Sequence, residues 1–244
     1  LFVFLFVLFL PSYAHATRVV LVGDSITEGR IDNETYYDGY DGDSFSDLLV
    51  QNLGAENVKN GGCGGSIVGN WHPFALPIGG CGSLPGSGET NLFVERVMPV
   101  LPADVVVVLL GTNNAILGTT VENYRSNLEV VINSLLYCGA EEVILMTPPP
   151  IPENGYVDFF HSGTPEVTAR LLAYRDVVLD LCNTTSNVSC IDLYDILYAD
   201  EELYFYDGML HPNENAHVVI RDQIMMRVIP EPSNLVLLTS GLFG

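Results

Sequence analysis

The fold prediction begins with Arg18-Val-Val-Leu-Val-Gly-Asp-Ser-Ile-Thr-Glu-Gly29, in which a short β-branched run ends in glycine and polar residues follow at once. A continuous apolar run of this length is typical of a strand that is buried on both faces, as in a parallel sheet. The run Asp104-Val-Val-Val-Val-Leu-Leu-Gly111 has the same form and the same ending. We therefore predict two buried parallel strands, each followed by a polar loop.

Three further strands are predicted from similar runs, at Glu142–Thr147, Val188–Leu193 and, more weakly, Asn57–Asn60. Segments with helical spacing of apolar residues alternate with the strands, at 44–53, 90–98, 121–136, 165–181 and 213–228. This alternation predicts an α/β fold, a three-layer α/β/α sandwich around a five-stranded, mostly parallel sheet. In such folds the sites form at the carboxyl ends of the strands, which here means just after Val22, Asn60 and Leu110.

The composition is that of a packed globular protein, because 48% of the 244 residues are hydrophobic and only 16% are charged. That length suits one substantial domain, which we place at residues 17–228. Thirty Asp and Glu against nine Lys and Arg give a formal net charge of −21. Such a charge repels nucleic-acid phosphates and anionic membrane surfaces on average, so we expect no nucleic-acid partner. We also expect a monomer.

Both ends of the chain have the composition of processing signals. Ten apolar residues, Leu1–Leu10, and then Ala14-His-Ala16 predict a signal peptide over residues 1–16. At the other end, Ile229-Pro-Glu-Pro-Ser233 and the apolar run after it resemble the PEP-CTERM sorting signal of Gram-negative bacteria, so 229–244 is predicted to be a sorting segment. Since no Met precedes the first run and no basic cluster ends the second, we expect both ends to be truncated. We predict export to the periplasm, cell surface or medium, with transient membrane association through the C-terminal segment.

Export permits disulfides, and the five cysteines allow two bonds and one free thiol. Cys182 and Cys190 flank a short polar loop, and Cys63 and Cys81 flank a Gly/Pro-rich one, so we predict these two pairs. Cys138 lies in an apolar helical pattern and is predicted to be a buried free thiol.

Three polar segments at strand ends contain the groups that acyl transfer requires. Ser25 follows the first strand at the turn, where its hydroxyl needs an adjacent base to become a nucleophile. The second segment is Asn60-Gly-Gly-Cys-Gly-Gly-Ser66, and the third is Gly111-Thr-Asn-Asn114. Glycine lets a backbone N–H approach a developing oxyanion, and an asparagine amide is a second donor. Each segment alone is also what an ordinary turn looks like.

The segment Asp207-Gly-Met-Leu-His211 stands just before the last predicted helix. His211 is the candidate base, and Asp207 can accept the other ring N–H, which fixes the tautomer and stabilises the imidazolium. A histidine beside a proline is also common as a structural turn residue.

Together and in this order, the four segments resemble the blocks of the GDSL/SGNH hydrolase family over about residues 19–220. The resemblance implies the flavodoxin-like SGNH hydrolase fold and a catalytic set of Ser25, Asp207 and His211. It also implies an oxyanion hole formed by Ser25, Gly62 and Asn113. The family needs no cofactor and no metal, and the sequence has no His-x-x-x-His or Cys-x-x-Cys spacing for one.

Two positions depart from the family pattern. The third block has Asn114 where the family usually has Asp, which leaves the donor Asn113 in place. Three residues rather than two separate Asp207 from His211, so a Ser-His dyad with a backbone carbonyl orienting His211 is an alternative to the triad.

The resemblance implies hydrolysis of carboxylic esters through an acyl-enzyme on Ser25. Tyr36, Tyr37, Tyr40 and Trp71 are aromatic residues able to stack on sugar rings, which favours deacetylation of a polysaccharide. The alternatives are a lipase, thioesterase or lysophospholipase, and a catalytically idle carbohydrate-binding surface protein on the same fold. A nucleotide-binding domain is disfavoured, because neither Gly-x-Gly-x-x-Gly nor a P-loop lysine follows the first strand.

Overall fold

A central sheet of five parallel strands organises the protein in the computed structural model, which describes residues 17–31, 43–74, 91–152, 156–157, 160–161, 164–206 and 210–229. The strands are β1 (Val19–Gly23), β2 (Val58–Asn60), β3 (Ala103–Leu109), β4 (Ala140–Met146) and β7 (Val188–Ile191). Their order is β2-β1-β3-β4-β7, and all four pairings are parallel. Two short strands, β5 (Tyr156–Val157) and β6 (Phe160–His161), pair antiparallel outside this sheet. The predicted α/β class, the five strands and their parallel arrangement are confirmed.

Helices connect the strands. The longer ones are α2 (Phe45–Leu53), α4 (Val121–Tyr137), α5 (Pro165–Thr184) and α8 (Glu214–Val228). The short ones are α1 (Ser25–Glu28), α3 (Thr112–Ile116), α6 (Leu193–Tyr198) and α7 (Glu201–Tyr204). The predicted helix over 90–98 is a π-helical turn, Phe93–Val97, followed by a 3₁₀ turn, Met98–Val100, and another 3₁₀ turn spans Val68–Trp71.

Side-chain caps set where the long helices begin. In each long helix, the side-chain oxygen of the preceding residue accepts a backbone N–H of the first turn. These residues are Ser44, Thr120, Thr164 and Asn213. Each such cap is worth about 1 kcal/mol. Their sequence positions explain why the predicted helix starts agree with the structure within a residue or two.

The sheet has a hydrophobic core on each face, because successive side chains of a strand point to opposite sides. In β1, Val20 and Val22 contact the core on the side of α4 and α5, while Val19 and Leu21 contact the core on the side of α2 and α8. This is the three-layer sandwich that the sequence predicted.

The chain order reverses at β1, since β2 lies on one side of it and β3 on the other. In open α/β sheets, ligands bind in the crevice outside the carboxyl ends of the strands at such a reversal. The topology therefore places the loops after Gly23, Asn60 and Leu109 together at this edge.

One predicted disulfide is confirmed, between Cys182 and Cys190, whose Cα atoms are 5.9 Å apart. Cys63 is disulfide-bonded, and its predicted partner Cys81 lies outside the described residues. Cys138 has a free thiol and is half-buried rather than fully buried.

The predicted signal peptide and the predicted sorting segment beyond Ile229 lie outside the described residues. In the part of the chain that is described, no helix is both long and apolar enough to cross a membrane.

Candidate active site

Ser25 is the first residue of α1 and follows β1 after one intervening residue. The turn is tight, since a Cβ on Gly23 would lie 1.9 Å from Thr27 Oγ1 and 2.7 Å from the carbonyl oxygen of Leu109. Only glycine fits there, which explains why the β-branched run ends as it does. The side chain of Ser25 is 7% exposed, so its hydroxyl lies at the edge of the protein interior.

His211 meets the nucleophile from the far end of the chain. Its Nε2 lies 2.9 Å from Ser25 Oγ, across a separation of 186 residues. A buried hydroxyl within hydrogen-bond distance of an imidazole nitrogen is the geometry that general-base activation requires. The structure thus brings together the predicted nucleophile and the predicted base.

The segment that contains His211 is closed at its base. Phe205 and Pro212 form an isolated antiparallel bridge, and Asn213 N–H donates to the carbonyl oxygen of Tyr204 at 2.9 Å. Asn213 also caps α8 through its side chain. These contacts hold together the two ends of the segment that contains His211. Asp207 lies outside the described residues, so its role stays a prediction.

Gly62, a predicted oxyanion donor, has its N–H bonded within the second block. Its N–H donates to Asn60 Oδ1 at 2.8 Å, so this donor is already engaged. A Cβ on Gly62 would lie 2.3 Å from the backbone nitrogen of Glu28 and 2.6 Å from the carbonyl carbon of Thr27. Gly62 is therefore required for close packing of the second block against α1.

Gly65 is an exposed residue in a turn of the same block. Ser66 N–H bonds to the carbonyl oxygen of Cys63 at 3.1 Å, which closes a four-residue turn. Gly65 is the third residue of that turn and has φ +77°, as the third residue of a type II turn requires. In such a turn the peptide between the second and third residues, which carries the N–H of Gly65, is roughly perpendicular to the plane of the turn. Gly65 is exposed, and a Cβ there would meet nothing within 4 Å.

Asn113 connects the three blocks. Its Nδ2 donates to the carbonyl oxygen of Ser66 at 3.1 Å and lies 3.4 Å from Asp24 Oδ2. The next residue, Asn114, is 1% exposed and structural, since its Oδ1 accepts Val68 N–H at 3.0 Å. Asn114 therefore holds the second block against the third, in the place where the family usually has Asp.

Asp24 is the most perturbed acid in the described part of the site. Burial raises the pKa of its carboxyl to about 7, although a hydrogen bond from Ile26 N–H acts in the opposite direction. The charge of Glu28 raises this pKa further and that of Arg30 lowers it. Because burial disfavours the charged carboxylate, the carboxyl of Asp24 titrates near neutral pH.

Several residues of the site were not assigned a role from the sequence. Asn60 bonds both Gly62 N–H and, through Nδ2, the carbonyl oxygen of Thr27 at 2.8 Å. An Asn before glycine at the end of a strand is a signal for such a turn. Arg96 donates to the carbonyl oxygen of Gly62, and no local pattern signals this, because the contact depends on tertiary packing.

The expectation that Trp71 stacks on a sugar is wrong. Its side chain is 0% exposed, and its Nε1 donates to Ser66 Oγ at 3.1 Å, so it supports the glycine turn from within the core. The sequence did not reveal this, because an aromatic residue in a Gly-rich loop fits both a surface and a packed position. Tyr36, Tyr37 and Tyr40 lie outside the described residues. Among the described residues, no group of three or more His, Cys, Asp or Glu could hold a metal ion.

Comparison with known families agrees with this geometry. A model of the GDSL-like Lipase/Acylhydrolase family matches residues 21–219, a span that contains Ser25, the glycine turn, Asn113 and His211. No curated protein sequence matches the chain.

Solved structures share the fold. An α/β hydrolase from the metagenome of Lake Arreo, Spain, is 20% identical and superposes with a TM-score of 0.61, covering 88% of this chain and 96% of its own. The acetyl xylan esterase AlAXEase is 19% identical with a TM-score of 0.58, covering 87% and 100%. Axe2, an acetylxylan esterase from Geobacillus stearothermophilus, is 16% identical with a TM-score of 0.58, covering 88% and 95%.

Proposed function

The chain belongs to the GDSL-like lipase/acylhydrolase family and is a hydrolase of ester bonds, and from this premise we propose that Ser25 is its nucleophile and His211 its general base. The observation that carries the proposal is the 2.9 Å contact between Ser25 Oγ and His211 Nε2. This contact also argues against a catalytically idle carbohydrate-binding protein, because such a protein would not need Ser25 Oγ and His211 Nε2 within hydrogen-bond distance.

The reaction proceeds in two halves. The proton of Ser25 Oγ passes to His211 Nε2 as Oγ bonds to the ester carbonyl carbon and the carbonyl π electrons move to oxygen. Collapse of the tetrahedral intermediate breaks the C–O bond, and the departing alkoxide takes the proton from Nε2. Water then attacks the acyl-enzyme with His211 again as base, which releases the acid and restores Ser25. Asp207 is proposed to accept the Nδ1 proton of His211.

Three donors are proposed to hold the oxyanion: the backbone N–H of Ser25, the side-chain amide of Asn113 and the N–H of Gly65. Gly65 takes the role expected of Gly62, whose N–H is engaged by Asn60. The 3.4 Å contact of Asn113 Nδ2 with Asp24 Oδ2 is long for a hydrogen bond, so it is given up at low cost when an oxyanion forms. Each oxyanion donor is worth roughly 3 to 4 kcal/mol of barrier.

Acetyl esters of carbohydrates are the proposed substrates. Two proteins of similar fold are acetylxylan esterases, which supports the proposal. The acidic net charge of −21 suits neutral sugars better than anionic lipids. A lipase, thioesterase or lysophospholipase is the second candidate, and it rests on the family description, which includes lipases.

The test compares the release of acetate from acetylated xylooligosaccharides with the hydrolysis of p-nitrophenyl acetate, butyrate and octanoate. We expect kcat/KM to be highest for the acetylated sugar and to fall steadily with acyl chain length. A maximum at octanoate would show a lipase-type acyl hydrolase instead. The S25A variant serves as the blank for every substrate.

We also propose export, as the two end segments predicted. The Cys182–Cys190 disulfide supports this proposal, because disulfides persist in oxidising compartments. Expression of the chain in a Gram-negative host followed by cell fractionation tests it. Recovery in the periplasm or medium with residues 1–16 removed is expected, and retention of an uncut chain in the cytoplasm would contradict it.

A further inference from the structure

Arg96 reaches from the π-helical turn to the second catalytic block. Its Nη1 donates to the carbonyl oxygen of Gly62 at 2.6 Å, while its Cβ lies 3.7 Å from the position a Cβ on Gly61 would occupy. Arg96 is half-buried at this contact. A guanidinium that donates to a partly buried carbonyl forms a charge-assisted hydrogen bond, which is stronger than a neutral one.

The peptide that Arg96 holds is fixed at both ends. Its carbonyl belongs to Gly62, and its N–H, that of Cys63, donates to the carbonyl oxygen of Gly23 at 2.9 Å. Gly23 lies two residues before Ser25, so this one peptide plane sets the second block relative to the nucleophile. Cα positions on both sides of a fixed peptide plane have little freedom left.

The following peptide is held in the same way. The carbonyl oxygen of Cys63 accepts Ser66 N–H at 3.1 Å, and Gly64 N–H donates to Glu28 Oε2 at 3.1 Å. Glu28 lies in α1 and pairs with Arg30 at 3.5 Å. The Gly62–Cys63 and Cys63–Gly64 peptides, which precede the peptide that carries the N–H of Gly65, are thus anchored to the first block and to the π-helical turn.

We propose that Arg96 is a positioning residue for ester hydrolysis, which aims the N–H of Gly65 at the oxyanion by fixing the Gly62–Cys63 peptide. This rests on the proposed function. Two glycines in the turn give the chain no intrinsic preference for one peptide orientation. External anchors must therefore supply the orientation, and Arg96 is an anchor from outside the four motif segments that acts directly on the backbone of the second segment.

The test uses R96M, which keeps the apolar stem and removes the donor, beside R96K, which keeps a shorter donor. R125M is the matched control, because Arg125 pairs with Asp180 at 2.7 Å and Glu129 at 3.7 Å on the outer helices. The measurements are kcat and KM for p-nitrophenyl acetate and the affinity for phenylboronic acid. This acid forms a tetrahedral adduct on Ser25 and presents an oxygen to the oxyanion donors. Titration with a p-nitrophenyl phosphonate counts the active sites in each preparation.

We expect R96M to lower kcat per titrated site about ten- to hundredfold, less than the loss of a whole donor, with little change in KM. Boronic acid affinity should fall by a similar factor, R96K should be intermediate, and R125M should match the wild type. An unchanged kcat per site together with unchanged boronic acid affinity would overturn the proposal. If R96M does not fold, the same two quantities measured for R96K decide in the same way. Absence of Ser25-dependent hydrolysis in the wild type would instead refute the proposed function.

Discussion

Oδ2 of Asp24, the residue before Ser25, lies 3.4 Å from Nδ2 of Asn113. The other oxygen, Oδ1, accepts Ile26 N–H at 3.1 Å and so fixes the carboxyl group. Asp24 thereby acts on the third block rather than on Ser25. Before the oxyanion forms, it accepts the Nδ2 proton that Asn113, the proposed donor, then gives to the oxyanion, and so it holds that donor in place.

Replacement of Asp24 by Asn is therefore expected to impair catalysis. With its carbonyl retained on Ile26, the new amide would point a donor at the donor of Asn113, which displaces the latter. We expect kcat for p-nitrophenyl acetate to fall at least about tenfold with a small change in KM, since a misplaced donor loses transition-state stabilisation. The control is D104N, because Asp104 pairs with Arg18 at the opposite, amino-terminal part of the sheet. Equal kcat in D24N and wild type would refute this role of Asp24.

Asp24 also makes stability depend on pH. Burial raises its pKa in the folded state from 3.8 to about 7, so the folded protein binds the proton more tightly than the unfolded chain does. The resulting stabilisation is complete below about pH 4 and is lost as the pH rises through 7. It amounts to about 4 kcal/mol, at 1.36 kcal/mol for each pKa unit. The difference between wild type and D24N in urea unfolding from pH 4 to pH 8 measures it, since D24N is expected to lack this decrease with rising pH.

His217 gives the opposite pH dependence. It is fully buried, its Nδ1 accepts Phe45 N–H at 3.1 Å, and its Nε2 lies 3.2 Å from the carbonyl oxygen of Arg30. Burial lowers its pKa to about 4, so the folded state holds the neutral ring. This stabilisation is present above pH 6.5 and is lost as the pH falls through 4, by about 3 kcal/mol.

The two groups therefore oppose each other over the same pH range in the wild type. In H217Q, the free energy of unfolding should fall more steeply with rising pH than in the wild type, whereas in D24N it should rise. The same urea series on both variants checks this. Parallel pH profiles in the three proteins would contradict both assignments.

The two glycines of the second block should respond differently to alanine. G62A places a Cβ 2.3 Å from backbone, so we expect loss of folded protein. G65A has open space but a φ of +77°, which costs an L-residue about 1 to 2 kcal/mol and twists the middle peptide of the turn. G65A should fold and lose kcat about tenfold or more, because small misplacements at a site are costly. G118A is the control, with φ +74° and equally open space. Equal activities of G65A and G118A would remove Gly65 from the oxyanion hole.

Much of this architecture follows from local sequence. The β-branched runs ending at Gly23 and Gly111 define buried strands, and Ser44 and Thr120 mark helix starts through their caps. The contact between Ser25 and His211 was predictable because the strand-end position of Ser25 and the order of the motifs both indicate it. What local sequence does not contain is the tertiary pairing of a loop with a distant helix, as between Gly62 and Arg96. Likewise, the choice between Gly62 and Gly65 depends on which N–H the fold already uses.

The most direct test of the account is the steady-state hydrolysis of p-nitrophenyl acetate by wild type, S25A and H211A, each shown to be folded by circular dichroism. We predict that kcat falls by at least about 10⁴-fold in both variants and by a similar factor in the double variant, since groups that act as one unit are not additive. Wild-type rates in S25A would contradict the assignment of the nucleophile and, with it, the mechanism.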